Sequence, residues 1–326
     1  MTYGDLLVRF AGLRALVVGD VMLDAYIFGN ATRISPEAPV MVVRETGSRA
    51  VPGGAANVAL NLQALGAQAE VTGVVGDDAE GAHLLQAIRD RGVGAGGIVV
   101  DPTRPTTTKT RVVADHAHQV LRIDRETHLA LTDATASQLT SVANELATNS
   151  DVVVLSDYQK GALGSGVARA VIAAAKNRGT PVVANPKPAG AAEFVGAQLL
   201  SFNRVEANAL FSGFEVNRES ALDAAQYLAE RLGVETVLIT LGEQGMAAAG
   251  THGRFLVDAR RVEVYDTAGA GDTVIATVAL GMATLGPRPE VFELAAATSA
   301  RVVRHVGVAT PSTEDLAELS RASIGS

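Results

Sequence analysis

The segment Asp266-Thr-Ala-Gly269-Ala270-Gly271-Asp272-Thr-Val-Ile-Ala276 joins a glycine turn to a run of small apolar residues. A β-prone piece, Val262-Glu-Val-Tyr265, precedes it. Glycines let backbone amides converge at the turn, and a helix start adds positive potential there. Such a turn can form an anion hole for a transferring phosphoryl group. Asp272 would then stand in the first helical turn, placed to take a proton from an attacking hydroxyl. A plain glycine turn with an aspartate capping its helix fits the same spacing.

Working outward, the pattern is one of strands alternating with helices. Ala15-Leu-Val-Val-Gly-Asp20 is a buried strand, and 69–75, 152–155, 181–184, 198–201 and 236–240 are others. Helical periodicity covers about 52–65, 77–91, 133–148, 164–178, 218–232, 270–285 and 289–305. This order predicts an α/β fold, a doubly wound and mostly parallel sheet. Two β-rich insertions, about 22–50 and 100–124, fit neither unit and read as a small β-sheet lid or dimer surface on a single domain, 1–326. Residues 320–326 read as a frayed end.

Composition narrows the function classes. The 326 residues are 48% hydrophobic but only 4% aromatic, with 33 glycines, as helices packed closely on a parallel sheet require. Cysteine is absent, which removes disulfides, thiol chemistry and cysteine zinc sites. The net charge is −8 and no basic stripe is present, so nucleic acid is not an expected partner. Neither a secretory leader nor a membrane span is evident, and a cytoplasmic location is expected.

Other motifs sit at strand ends. Asp20 and Asp24 close the first strand, where carboxylates can hold sugar hydroxyls. Pro52-Gly53-Gly54-Ala-Ala-Asn57 opens a helix with bare backbone, and Asn57 offers donors and an acceptor. Asn203 and Glu206 follow another strand, where Glu206 could hold magnesium through water. Thr240-Leu-Gly242-Glu-Gln-Gly245 could receive a nucleotide. A P-loop signature is absent, and Gly92-Val-Gly94-Ala-Gly-Gly97 has its helix and strand in the wrong order for a dinucleotide fold.

In this order the motifs resemble the ribokinase-like (PfkB) carbohydrate kinases, and the resemblance spans essentially the whole chain. Ile34-Ser-Pro-Glu-Ala-Pro-Val40, Pro52 to Val58, Ser156-Asp-Tyr-Gln-Lys-Gly161 and Gly271 to Ala276 look like the bacterial D-glycero-β-D-manno-heptose-7-phosphate kinases in their stand-alone form. The resemblance implies ATP and Mg2+ as cofactors. It implies phosphorylation of the anomeric hydroxyl to the 1,7-bisphosphate, on the route to ADP-heptose and lipopolysaccharide core. Asp272 matches the base, and the amides of Gly269, Ala270 and Gly271 match the anion hole. Asp24 and Asn57 match sugar contacts. Asn203 and Glu206 match the magnesium and phosphate motif, and Thr240, Gly242 and Gly245 the ATP site. The distal phosphate needs a cation, for which Arg33, Lys109, Arg111, Lys160 and Lys187 are candidates, and Asp157 lies in the heptose-like text. Homodimerisation through the lid is expected. Ala268, Asn185 and a Gly-Gly…Asn spacing one residue short depart from the family pattern. The rivals are a kinase of another sugar, such as ribose or fructose, and a catalytically inactive sugar- or nucleotide-binding protein.

Overall fold

A computed structural model describes residues 2–322 apart from 116, 117, 212, 214 and 306. Residues 323–326 of the segment expected to fray lie outside the described residues. The chain begins with α1 (Tyr3–Phe10) and β1 (Arg14–Gly19), then runs out along β2 (Val21–Ile34) and back along β3 (Met41–Gly54) into α2 (Ala55–Ala64). β4 (Gln68–Thr72) and β5 (Val74–Val75) precede α3 (Ala79–Arg89). β6 (Val99–Val100), β7 (Thr108–Ala114) and β8 (His118–Arg125) precede α4 (Asp133–Ala147). β9 (Val152–Ser156), α5 (Val167–Lys176), β10 (Val182–Asn185), β11 (Leu199–Asn203), α6 (Arg204–Leu210), α7 (Ala221–Leu232) and β12 (Thr236–Thr240) follow. A hairpin, β13 (Met246–Gly250) and β14 (Gly253–Val257), leads to α8 (Ala270–Leu285), α9 (Pro289–Val302) and α10 (Thr313–Ser320).

Eight strands form the main sheet in the order β14-β13-β12-β11-β10-β9-β1-β4. The six from β12 to β4 are mutually parallel, and the hairpin adds two antiparallel strands at one edge. Successive strand residues point to opposite faces. Val152 and Val154 therefore join a core under α2, α8 and α9, while Val153 and Leu155 join a core under α4, α5 and α7. Both faces are covered, so these strands are apolar without alternation. Among the described residues no helix is long and apolar enough to cross a membrane.

A second, four-stranded sheet has the order β3-β2-β7-β8. Its β2 and β3 are 14 residues each, far longer than the short pieces their mixed sequence suggests. Their outer halves are exposed, and cross-strand pairing carries them where no hydrophobic alternation does. Asp24 accordingly lies inside β2 and not at the end of the first strand. Val262 to Tyr265 forms no strand; Val264 and Tyr265 are exposed, and the Tyr265 and Asp266 amides donate to the Val303 carbonyl. Ser320 ends α10, and Tyr3 N–H reaches the Ala322 carbonyl, so residues 320 and 322 of the segment expected to fray are held.

Candidate active site

The C-terminal ends of the parallel strands and the N-terminus of α8 meet at Asp272. Gly269 caps α8 with φ of 83°, and Asp272 lies in the first turn, buried. Asn57, in the first turn of α2, donates from Nδ2 to Asp272 Oδ2 at 2.7 Å. The Tyr158 hydroxyl donates to Oδ1 at 2.6 Å. Burial pushes the Asp272 carboxyl up to about 6; the Asn57 and Tyr158 hydrogen bonds oppose this, Asp24's charge adds to it and Lys187's opposes it. Near pH 7 roughly nine-tenths of such a group is ionised. A buried carboxylate poised this close to neutrality suits proton abstraction.

The turn before Asp272 is built by Asp266. Its Oδ1 accepts Ala268 N–H and its Oδ2 accepts Gly307 N–H, each at 2.9 Å. Ala270 N–H donates to Thr267 O at 3.3 Å, so this amide closes the turn. Gly271 is exposed, with nothing within 4 Å of where a side chain would stand, and it opens the turn to an approaching anion.

Asp24 is buried beside this centre and accepts Arg111 Nη1 at 2.5 Å. The bare backbone at Gly53 serves Asp24 itself: a Cβ there would stand 1.9 Å from Asp24 Oδ2. Arg111 lies over the Tyr26 ring at 5.4 Å, and Arg49 over the same ring at 5.1 Å. Lys109 pairs in register with Asp24 across β2 and β7 and with Asp124 across β7 and β8.

Past β10, Lys187 Nζ reaches Glu206 Oε1 at 2.5 Å and stands 5.4 Å from the Tyr158 ring centre. Glu206 Oε2 accepts Asn203 N–H, and Asn203 Oδ1 accepts Glu206 N–H, both at 2.9 Å; the pair is a capping box for α6. Thr240 pairs with Asn203 in register, and Gly242, at φ of 63°, has open space on its side-chain side. Asp157 takes Gln159 N–H at 2.7 Å and Lys187 N–H at 3.2 Å, tying two strand-end loops together.

Three expected contacts are drawn elsewhere. Arg33 is exposed at the far end of β2, nine residues beyond Asp24, roughly 30 Å along an extended strand. Lys160 Nζ is committed to Glu126 at 2.8 Å. Gly245 answers a backbone demand: its φ is 93°, and a Cβ would meet the Val257 carbonyl at 2.0 Å. Asp20 has a task within the fold. Its carboxylate accepts the N–H groups of Tyr158 (2.8 Å), Lys160 (2.9 Å) and Ala162 (2.9 Å) and pins the loop after β9. Sequence reading gave no role to Tyr158, Tyr26 or Arg49. Tyr158 carried two signals, its position just past an apolar strand and its place in the heptose-like segment Ser156 to Gly161.

With this geometry in place, the sequence as a whole matches a known family. The profile described as pfkB family carbohydrate kinase matches residues 13–315. The chain belongs to this family. It is a sugar kinase, and the family takes ATP as phosphoryl donor. It is similar to the protein named Bifunctional protein HldE of Pelobacter propionicus, 43% identical over 308 residues, 93% of this chain and 62% of that protein. The HldE protein of Gluconobacter oxydans is 42% identical over 306 residues, covering 93% and 63%. The chain thus spans under two thirds of these relatives' length. Among solved structures, phosphofructokinase-2 of Escherichia coli in complex with substrates and products aligns with a TM-score of 0.78, at 21% identity, over 95% of this chain and 98% of that one. Arabidopsis thaliana ribokinase complexed with ribose and ATP aligns at 0.74, with 21% identity over 96% and 100%. These two show a shared ribokinase-like fold.

Proposed function

We propose that this pfkB kinase phosphorylates the anomeric hydroxyl of D-glycero-β-D-manno-heptose 7-phosphate, giving the 1,7-bisphosphate, with Asp272 as base. The observation that carries the phosphorylated acceptor is the pair Arg49 and Arg111, both against Tyr26 on the face of the small sheet that holds Asp24. Asp24 takes Arg111, which leaves the Arg49 guanidinium, held over Tyr26, for a phosphate. The names of the relatives and the heptose-like segments support the sugar.

The sugar hydroxyl gives its proton to Asp272 while its oxygen attacks the γ-phosphorus of ATP, and ADP leaves. The Gly271 amide and Lys187 are the donors facing the transferring group. Gly269 and Ala270 shape the turn. Thr240 and Gly242 border the nucleotide. Among the described residues no cluster of three or more His, Cys, Asp or Glu forms a metal cage. Magnesium, which keeps waters and substrate phosphates as ligands, fits Glu206, whose carboxylate has lone pairs beyond its two hydrogen bonds. When bound, the ion would neutralise phosphate charge.

Arg49→Ala should raise KM for heptose 7-phosphate about 30-fold or more, with a smaller change in kcat and none in KM for ATP. Coupled ADP release measures this across a panel with unphosphorylated heptose, ribose and fructose. One observation favours an unphosphorylated sugar: Arg111 already has Asp24 as partner. Faster turnover of a free sugar, indifferent to Arg49→Ala, would decide for that reading. ATP binding with no turnover on any sugar would decide for an inactive binding protein.

We also propose that the small sheet is a lid and a dimer surface. Leu121 and Ile123 are each 53% exposed on edge strand β8. Leu121→Asp with Ile123→Asp should convert a dimer to monomers in sedimentation equilibrium.

A further inference from the structure

We infer that Tyr158 is a positioning residue for the phosphoryl transfer: its hydroxyl holds Asp272 in one orientation, with a lone pair left for the acceptor sugar. The inference rests on Asp272 being the base. The carboxylate is gripped from both sides, Oδ1 by the Tyr158 hydroxyl at 2.6 Å and Oδ2 by Asn57 Nδ2 at 2.7 Å. A carboxylate offers about four acceptor positions. Two donors therefore fix its plane and leave room for the hydroxyl that it must deprotonate. Both bonds are made to the ionised form, and hydrogen bonds to an anion are the stronger kind.

The phenol is suited to donate and nothing else. Burial, then the charge of Asp272, raises its own ionisation well above the ordinary tyrosine range. It therefore stays protonated as the reaction proceeds. In the step itself the sugar O–H bond breaks and its proton passes to Asp272. The sugar oxygen bonds to the γ-phosphorus, and the bond from phosphorus to the bridging oxygen breaks, its electron pair leaving with ADP. Tyr158 neither gains nor loses a proton.

The fold does not need this hydroxyl. The loop carrying it is fixed through its backbone, by Tyr158, Lys160 and Ala162 N–H groups on Asp20 and by Gln159 N–H on Asp157. The ring has a separate task, lying 5.4 Å from the Lys187 ammonium. One side chain thus sets the relative placement of the base and of the cation opposite it.

Tyr158→Phe keeps the ring and removes only the donor. With the sugar that the panel above identifies, kcat is measured from pH 5 to 9 on the full chain. The acid limb should move up by about one pH unit, and kcat at pH 7 should fall about twofold. KM for ATP should hold, and the melting temperature should fall by no more than about a few degrees. Tyr158→Ala, which also removes the ring beside Lys187, should lose more kcat and raise KM for ATP. A Tyr158→Phe profile that superimposes on the wild type overturns the inference. So does a uniform loss at every pH, which a merely structural role would give. Asp272→Asn separates the two levels. Near wild-type turnover in that variant removes the base reading itself. An inactive Asp272→Asn beside an unmoved Tyr158→Phe profile removes only the role of Tyr158.

Discussion

Asp272→Asn should lower kcat by roughly 10²–10⁴-fold, the range a positioned general base contributes, with little change in ATP binding. The amide keeps the size of the carboxylate and cannot take the proton. In the wild type, kcat should fall on the acid side around pH 6, as a carboxyl pushed up to about 6 becomes protonated. Steady-state ADP release across pH checks both. The same substitution should stabilise the fold. Asp272 binds its proton more tightly folded than unfolded, from an ordinary value of 3.8 to about 6. Its stabilising contribution is therefore complete below about pH 3.8 and is lost as pH rises through 6. That loss is of the order of 3 kcal/mol. Asp272→Asn should thus melt higher than the wild type at pH 8, with the gain shrinking toward pH 4. Equal melting temperatures at pH 8 would show that the burial cost is met elsewhere.

Lys187→Met should lower kcat about 10²–10³-fold, the scale of one oriented electrostatic donor at a transition state. Two effects act together. The ammonium at Glu206 Oε1 disappears, leaving that carboxylate without its cation. The positive charge that holds Asp272 down disappears too, so the acid limb should move up. An opposing effect is that a freed Glu206 would hold magnesium more tightly. The transferring phosphoryl group still loses a fixed positive charge, so the net expectation is a loss. Single-turnover measurements at saturating magnesium separate the two, because tighter metal binding cannot restore the chemical step.

The parallel strands were legible because burial on both faces leaves them apolar along their length, and the helices because glycines and aspartates punctuate a 3.6-residue period. The small sheet was legible as β-rich insertions, but the full length of its β2–β3 hairpin was not. Its outer half buries no face, so its periodicity carries no signal. The β13–β14 hairpin escaped because Met246-Ala-Ala-Ala-Gly250 is poor in β-branched residues, and its strand character comes from pairing with β12. The cations show the same division. Arg33 and Lys160 had the right chemistry, but strand length carries one away and Glu126 takes the other.

The Asp266–Asp272 turn by itself fitted both an anion hole and a capped helix. The sequence determined that it begins a helix, that its companions follow one another in a fixed order along the chain, and that the chain has the ribokinase-like fold, because local residue types and their spacing carry that information. Only the tertiary structure decided what surrounds Asp272. Asn57, Tyr158 and Lys187 lie 215, 114 and 85 residues away in the chain. Contacts closed by the crossover of a whole sheet leave no local pattern, and they set the ionisation of a buried carboxylate.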